Sequence, residues 1–110
     1  MYKGWKRAIL ESPYAGDIEK NKLYAIACGM DMVSRKEAVF ASHLIYPMFL
    51  RKYNEEDRNN GIDAGYTWYA AADICCVYLN LGMTEGMIRG IARAESFKIE
   101  VDRRWLSTWS

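Results

Sequence analysis

Ala8-Ile9-Leu10-Glu11-Ser12-Pro13-Tyr14-Ala15-Gly16-Asp17 reads as a buried strand that runs into a tight turn and opens a helix. The apolar Ala8-Ile9-Leu10 run suits an inner strand, Pro13 and Gly16 supply turn geometry, and the Asp17 carboxylate can accept from the free amides of a helix start. Parallel α/β proteins use strand, glycine turn and helix N-terminus to hold anionic or ribose-bearing ligands. An ordinary strand-to-helix connection has the same outline. The spacing is not the Gly-rich dinucleotide fingerprint, and the turn lacks the Lys-Ser/Thr of a P-loop.

Outward from this stretch, the pattern alternates helix and strand. Asp17 to about Val33 is helical, with Leu23, Ile26, Ala27, Met30 and Val33 on one side, the side expected to cover the sheet. Glu37 to Ser42 is a short second strand, and no hairpin turn precedes it, so the connection is a parallel crossover. Ser42 to Leu50 then supplies a pocket wall or an interface. Asn54 to Arg58 is a solvated charge run able to start a helix, and Asp57 to about Ala72 is the second long helix. Its Gly61 and Gly65, at i and i+4, cost helix stability and imply close packing on another element.

Ile74 to Leu79 is a continuous apolar strand of central type. Thr84 caps a third helix reaching Ser96, with Met87, Ile88, Ile91 and Ala92 inward and Arg89 and Arg93 outward. Lys98 to Val101 is a last edge strand. Right-handed crossovers then give a flavodoxin-like (Rossmann-like) three-layer α/β sandwich, its parallel sheet of about four strands ordered 2-1-3-4. Residues 1–110 form one domain, with a Trp-containing C-terminal extension at 102–110.

Composition narrows the function. The 110 residues carry a formal charge of +1 with both signs interspersed, which points away from nucleic acid polymers and anionic membranes. No run approaches the ~18 apolar residues of a bilayer span, and the polar, aromatic start does not read as a signal peptide, so a cytoplasmic location is expected. Cys28, Cys75 and Cys76 have neither metal-ligand nor disulfide-framework spacing and are read as reduced, buried thiols. No metal and no cofactor is expected. Trp105, Trp109, Tyr46, Met48 and Phe49 lie outside the obvious strands and suggest apolar surface covered in a homo-oligomer.

The candidate ligand-binding residues gather where the loops after strands one and three meet: Ser12, Pro13, Tyr14, Gly16 and Asp17 from one, Thr84, Glu85, Gly86 and Met87 from the other. His43, the sole histidine, and Arg58 are secondary candidates. Backbone amides would hold a phosphate or ribose oxygen, Tyr14 would stack on or hydrogen-bond the ligand, and Asp17 would accept from sugar hydroxyls unless used as the helix cap.

Several motifs, taken in order, resemble the nucleoside 2-deoxyribosyltransferase-like superfamily, in particular its small bacteriophage and prophage proteins of unknown function. They are Ser12-Pro13-Tyr14-Ala15-Gly16-Asp17, Ser42-His43-Leu44-Ile45-Tyr46-Pro47-Met48-Phe49-Leu50, Arg58-Asn59-Asn60-Gly61, Asp73 before Ile74, and Thr84-Glu85-Gly86-Met87-Ile88-Arg89-Gly90-Ile91, covering about residues 7 to 101. The resemblance implies the same α/β fold and a pocket shared between subunits. In the transferases a glutamate on the helix after the last central strand attacks the anomeric carbon. The matching residue here is Gly90, and Ser42 stands where the family has proline.

The resemblance thus implies a non-catalytic protein, with no catalytic residue, that holds a nucleoside, nucleotide or ADP-ribose-like ligand and sequesters a nucleotide immune signal of the host. One alternative is an active deoxyribosyltransferase or N-glycosyl hydrolase in which Glu85 or Asp17 serves as nucleophile or base. Another is a structural or host-interaction protein that uses only the fold.

Overall fold

The computed structural model describes residues 2–109. Its strands are β1 (Lys6–Glu11), β2 (Glu37–Phe40), β3 (Ile74–Tyr78) and β4 (Glu100–Arg104), and its helices are α1 (Ile18–Ser34), α2 (Ser42–Ile45), α3 (Glu55–Thr67) and α4 (Glu85–Ser96). Short 3-10 turns occupy Tyr2–Gly4, Tyr46–Met48 and Trp68–Ala71. The four strands are ordered β2-β1-β3-β4 and every pairing is parallel, with Ala8 beside Val39 and Ile74, and Glu11 beside Val77. This is the flavodoxin-like three-layer α/β sheet expected from the sequence. None of the described helices is long and apolar enough to cross a membrane.

Strand alternation divides the core. Ala8, Leu10, Ile74, Cys76 and Tyr78 face α1 through Tyr24, Ala25, Cys28 and Met32, whereas Ile9, Cys75 and Val77 pack with Tyr69 and with Met87, Ile91 and Ala94 of α4. All three cysteines are free and buried. Burial pushes the Cys28 and Cys76 thiols up to about 12, so they stay protonated.

The structure corrects the face of α1. Leu23, Ile26, Met30 and Val33 are exposed, and the sheet instead receives Asn21, Tyr24, Ala25, Cys28 and Met32. Polar anchoring selects that face: the Asn21 amide donates to the carbonyls of Tyr14 and Ala15 at 3.0 Å each, and the Tyr24 hydroxyl donates to Asn80 Oδ1 at 2.7 Å. Small Ala25 and Cys28 then let the helix lie close to the sheet. On α4, Gly90 and Ala94 point inward in place of Ile88 and Ala92.

Boundaries also shift. β2 stops at Phe40, so Ser42 opens α2. α3 starts at Glu55, capped by Asn54, whose side chain accepts from Asp57 N at 2.9 Å, and tightens to a 3-10 turn at Trp68. The last strand is Glu100–Arg104, not 98–101, because Lys98 takes a left-handed turn at φ 59° and Arg104 is drawn inward by Glu37. Those two residues form a buried bidentate pair at 2.7 and 2.7 Å, joined by Asp102 and the Tyr78 hydroxyl.

The C-terminal segment folds back on its own domain. Asn80 accepts from Leu106 N and donates to Leu106 O, and Trp109 packs edge-on to Tyr24 with ring centroids 5.0 Å apart. Trp109 is therefore a contact within the domain, while Trp105, Met48 and Phe49 are exposed.

Candidate functional site

A parallel sheet ordered β2-β1-β3-β4 reverses its winding between β1 and β3, the point at which open α/β sheets form a crevice outside the carboxyl ends of their strands. The first loop, residues 12–17, is held by Asn21. Gly16 has φ 103°, a conformation that glycine adopts without strain. The Asp17 carboxylate accepts from Lys20 N at 3.2 Å and so serves as the α1 cap. Pro13 is buried and Tyr14 half-buried, its carbonyl held by Asn21.

Ser12 and His43 come together. Ser12 Oγ lies 2.7 Å from His43 Nε2, joining the end of β1 to the start of α2. Burial pushes the imidazole down to about 4, so it is neutral near pH 7. A neutral imidazole beside a buried hydroxyl is a switchable donor or acceptor. Two glycines of α3 admit close packing, Gly65 against the first residue of α2 and Gly61 against the segment that follows α2. A Cβ on Gly65 would stand 2.9 Å from Ser42 Cβ, and one on Gly61 would stand 2.9 Å from Leu50 Cδ1. The close packing expected of Gly61 and Gly65 is thus present, and at Gly65 it lies against Ser42, the neighbour of His43.

The second loop places its residues differently. The Thr84 hydroxyl accepts from Met87 N at 3.2 Å and caps α4. Met87 is in the core, Glu85 makes an exposed 3.0 Å ion pair with Arg89, and Gly86 is exposed. Arg58 is exposed in the first turn of α3, and among the described residues its side chain makes no ion pair.

The sequence reading missed Glu11. Its carboxyl receives a hydrogen bond from the Tyr69 hydroxyl and lies directly over Gly90, in the space a Cβ there would need. Burial raises the Glu11 carboxyl from 4.5 to about 7, with the Tyr69 bond acting the other way. Burial, and secondarily the charge of Glu11, also push the Tyr69 phenol far up, so it stays a donor. A signal was present: Glu11 is i+2 from the inward Ile9, hence on the same buried face. A carboxyl on that face, at the end of a central strand beside a winding reversal, belongs among site residues.

Two shallow surface concavities lie elsewhere. One is lined by Gly29, Met30, Val33, Ser34 and Val39, the other by residues of β1, β2 and the Trp68 turn, and neither includes a predicted site residue. The carboxyl edge carries two polar pairs instead: Glu11 with Tyr69, and Ser12 with His43.

A comparison with curated proteins finds no match. Residues 6–104, from the first residue of β1 to the last of β4, match the family described as a domain of unknown function, DUF7768. The match spans the whole sheet and both loops of the crevice, and the chain belongs to the DUF7768 family.

Proposed function

We propose that the protein binds a nucleoside- or nucleotide-like ligand at the crevice between the loops after β1 and β3. The observation that carries this reading is the half-buried Glu11 carboxyl, at the end of β1 where the winding reverses, with Tyr69 as its partner. A carboxyl so placed can accept from, or when protonated donate to, the hydroxyls of a ribose. The Ser12–His43 pair adds a second adjustable hydrogen-bonding group on the same strand end. Amides of the first turns of α1 and α4 that the Asp17 and Thr84 caps leave free favour a phosphate. With the resemblance to phage proteins, such a pocket suits sequestration of an ADP-ribose-like or cyclic nucleotide signal in the host cytoplasm.

Thermal shift with deoxynucleosides, nucleoside monophosphates, ADP-ribose, cyclic ADP-ribose isomers and cyclic dinucleotides tests the reading. A ligand at a hundredfold excess over its Kd stabilises the native state by ~2.7 kcal/mol. That corresponds to a rise of roughly 10 °C in a domain of this size. The shift is expected to shrink in Tyr14→Ala and Glu11→Gln. No shift with any compound, or an equal shift in both variants, overturns the proposal.

One observation favours a second reading, turnover. The carboxyl of Glu11 fills the space over Gly90, so the group missing from α4 is supplied by β1. Glu85 and Asp17 are engaged in an ion pair and a cap. In this reading the Glu11 carboxylate bonds to the anomeric carbon as the C–N bond breaks, and the base leaves with the electron pair and takes a proton from water. Incubation with a bound ligand, denaturation and mass spectrometry separate the readings: intact ligand means binding alone, and free base or a glycosylated Glu11 means turnover.

A further inference from the structure

We infer that the C-terminal segment, residues 105–109, is a strap that fixes both loops of the crevice and so sets how tightly the site holds a ligand. The fixing of the loops stands on contacts within the chain, and only its consequence for affinity rests on the binding reading above. The strap is fastened at Asn80, the second residue after β3. Its side-chain amide pairs with the main chain of Leu106 much as a neighbouring strand would, Nδ2 donating to Leu106 O at 3.0 Å and Oδ1 accepting from Leu106 N at 2.8 Å. Just before it, Leu79 N donates to Arg104 O at 2.9 Å, so the contact between these segments continues past the ends of β3 and β4.

The same residue is gripped from α1. The Tyr24 hydroxyl donates to Asn80 Oδ1 at 2.7 Å and accepts from Asn80 N at 2.9 Å. With Leu106 N and the Tyr24 hydroxyl both donating to it, Oδ1 has its two lone pairs in use. Trp109 backs this joint from the strap, its ring edge-on to that of the fully buried Tyr24. Leu81 of the loop and Leu106 of the strap pack on the same core cluster.

One turn of α1 carries the tie to the other loop. Asn21, three residues before Tyr24, donates to the carbonyls of Tyr14 and Ala15 in the loop after β1. Residues three apart share a helix face, so both loops of the crevice hang from a single turn whose Tyr24 is backed by the strap. Past the strand ends the sheet ladder no longer holds these loops, and their order rests on such side-chain bonds. The loop after β3 also leads to Thr84, which caps α4, so Asn80 stands between the strap and the helix start at the crevice. Trp105, in the same segment, is exposed and provides an internal control.

Hydrogen exchange of the full chain, read by mass spectrometry, tests the strap without any ligand. Trp109→Ala is expected to speed exchange at least about tenfold in residues 79–84 and in residues 12–17, while β1 and β3 stay as protected as in the wild type. Asn80→Asp, which keeps the side-chain size and loses the donor to Leu106 O, is expected to do the same. Trp109→Phe, which keeps a ring on Tyr24, is expected to restore most of the protection, and Trp105→Ala to change nothing. With ADP-ribose as the probe, Kd is expected to rise at least about tenfold in Trp109→Ala and to keep its wild-type value in Trp105→Ala. Unchanged loop exchange in Trp109→Ala and Asn80→Asp, loosening confined to residues 79–84, or loosened loops with an unchanged Kd overturns the inference. Protection lost across the whole sheet in both variants marks the segment as core packing alone and also overturns it. A wild type that binds no ADP-ribose counts against the binding reading alone, because exchange decides the strap without a ligand.

Discussion

The carboxyl of Glu11, on the last residue of β1, occupies the volume that a side chain at Gly90 of α4 would need. Strand and helix thus contribute one carboxyl and one vacancy to the same point beneath the crevice. Gly90→Ala should destabilise the protein, because the new methyl displaces a carboxyl held by Tyr69. In a Glu11→Ala background the same substitution should stabilise by about 1 kcal/mol, the ordinary gain of alanine over glycine in a helix. Chemical denaturation of the four proteins of the cycle checks this inversion of sign.

The pH dependence of stability should carry two opposed contributions. The Glu11 carboxyl is at about 7 in the folded protein against an ordinary 4.5, so the native state binds more protons between these values and gains stability as pH falls. The His43 imidazole is at about 4 against 6.5, so the unfolded state binds more protons there and stability is lost as pH falls. Each amounts to about 3 kcal/mol at most. Wild-type stability should therefore vary little between pH 6.5 and 4.5. Glu11→Gln should lose stability across that range and His43→Gln should gain it, as read by urea midpoints.

The Glu37–Arg104 pair should be costly to break and cheap to replace. Both side chains are 7% exposed and joined by two hydrogen bonds, so Arg104→Met leaves a buried carboxylate without its partner and should cost ~3–5 kcal/mol. Arg104→Met combined with Glu37→Leu should recover much of that loss. Thermal unfolding of the single and double variants measures both.

Gly65→Ala should disturb the site through packing. A methyl 2.9 Å from Ser42 Cβ pushes α2 away from α3, at a cost of about 1–3 kcal/mol that exceeds the helix-propensity gain. Because α2 carries His43, the Ser12–His43 hydrogen bond should weaken. Imidazole NMR titration is the readout, with the His43 pKa moving up toward its ordinary value.

Local patterns determined the order and direction of the strands. Apolar runs at residues 8–10 and 74–79, the lack of hairpin turns and the helix starts at Asp17 and Thr84 leave parallel crossovers as the consistent topology, and 2-1-3-4 is what the sheet adopts. Both caps form as read, since a cap is a contact between residues three apart.

Tertiary structure alone decided the rest. Periodicity finds an apolar face on α1 but cannot choose between two, and the choice came from Asn21 and Tyr24 reaching groups in the loops after β1 and β3. The end of β4 follows Arg104 to Glu37, 67 residues away, where a string of charged residues reads as a tail. Ser12 meets His43 across 31 residues and Glu11 meets Tyr69 across 58, pairings that short-range spacing does not encode. Gly90 read as a lost carboxyl along the chain. In space the same glycine is the room into which the carboxyl of Glu11 fits, because side chains fill a shared volume whichever strand or helix brings them.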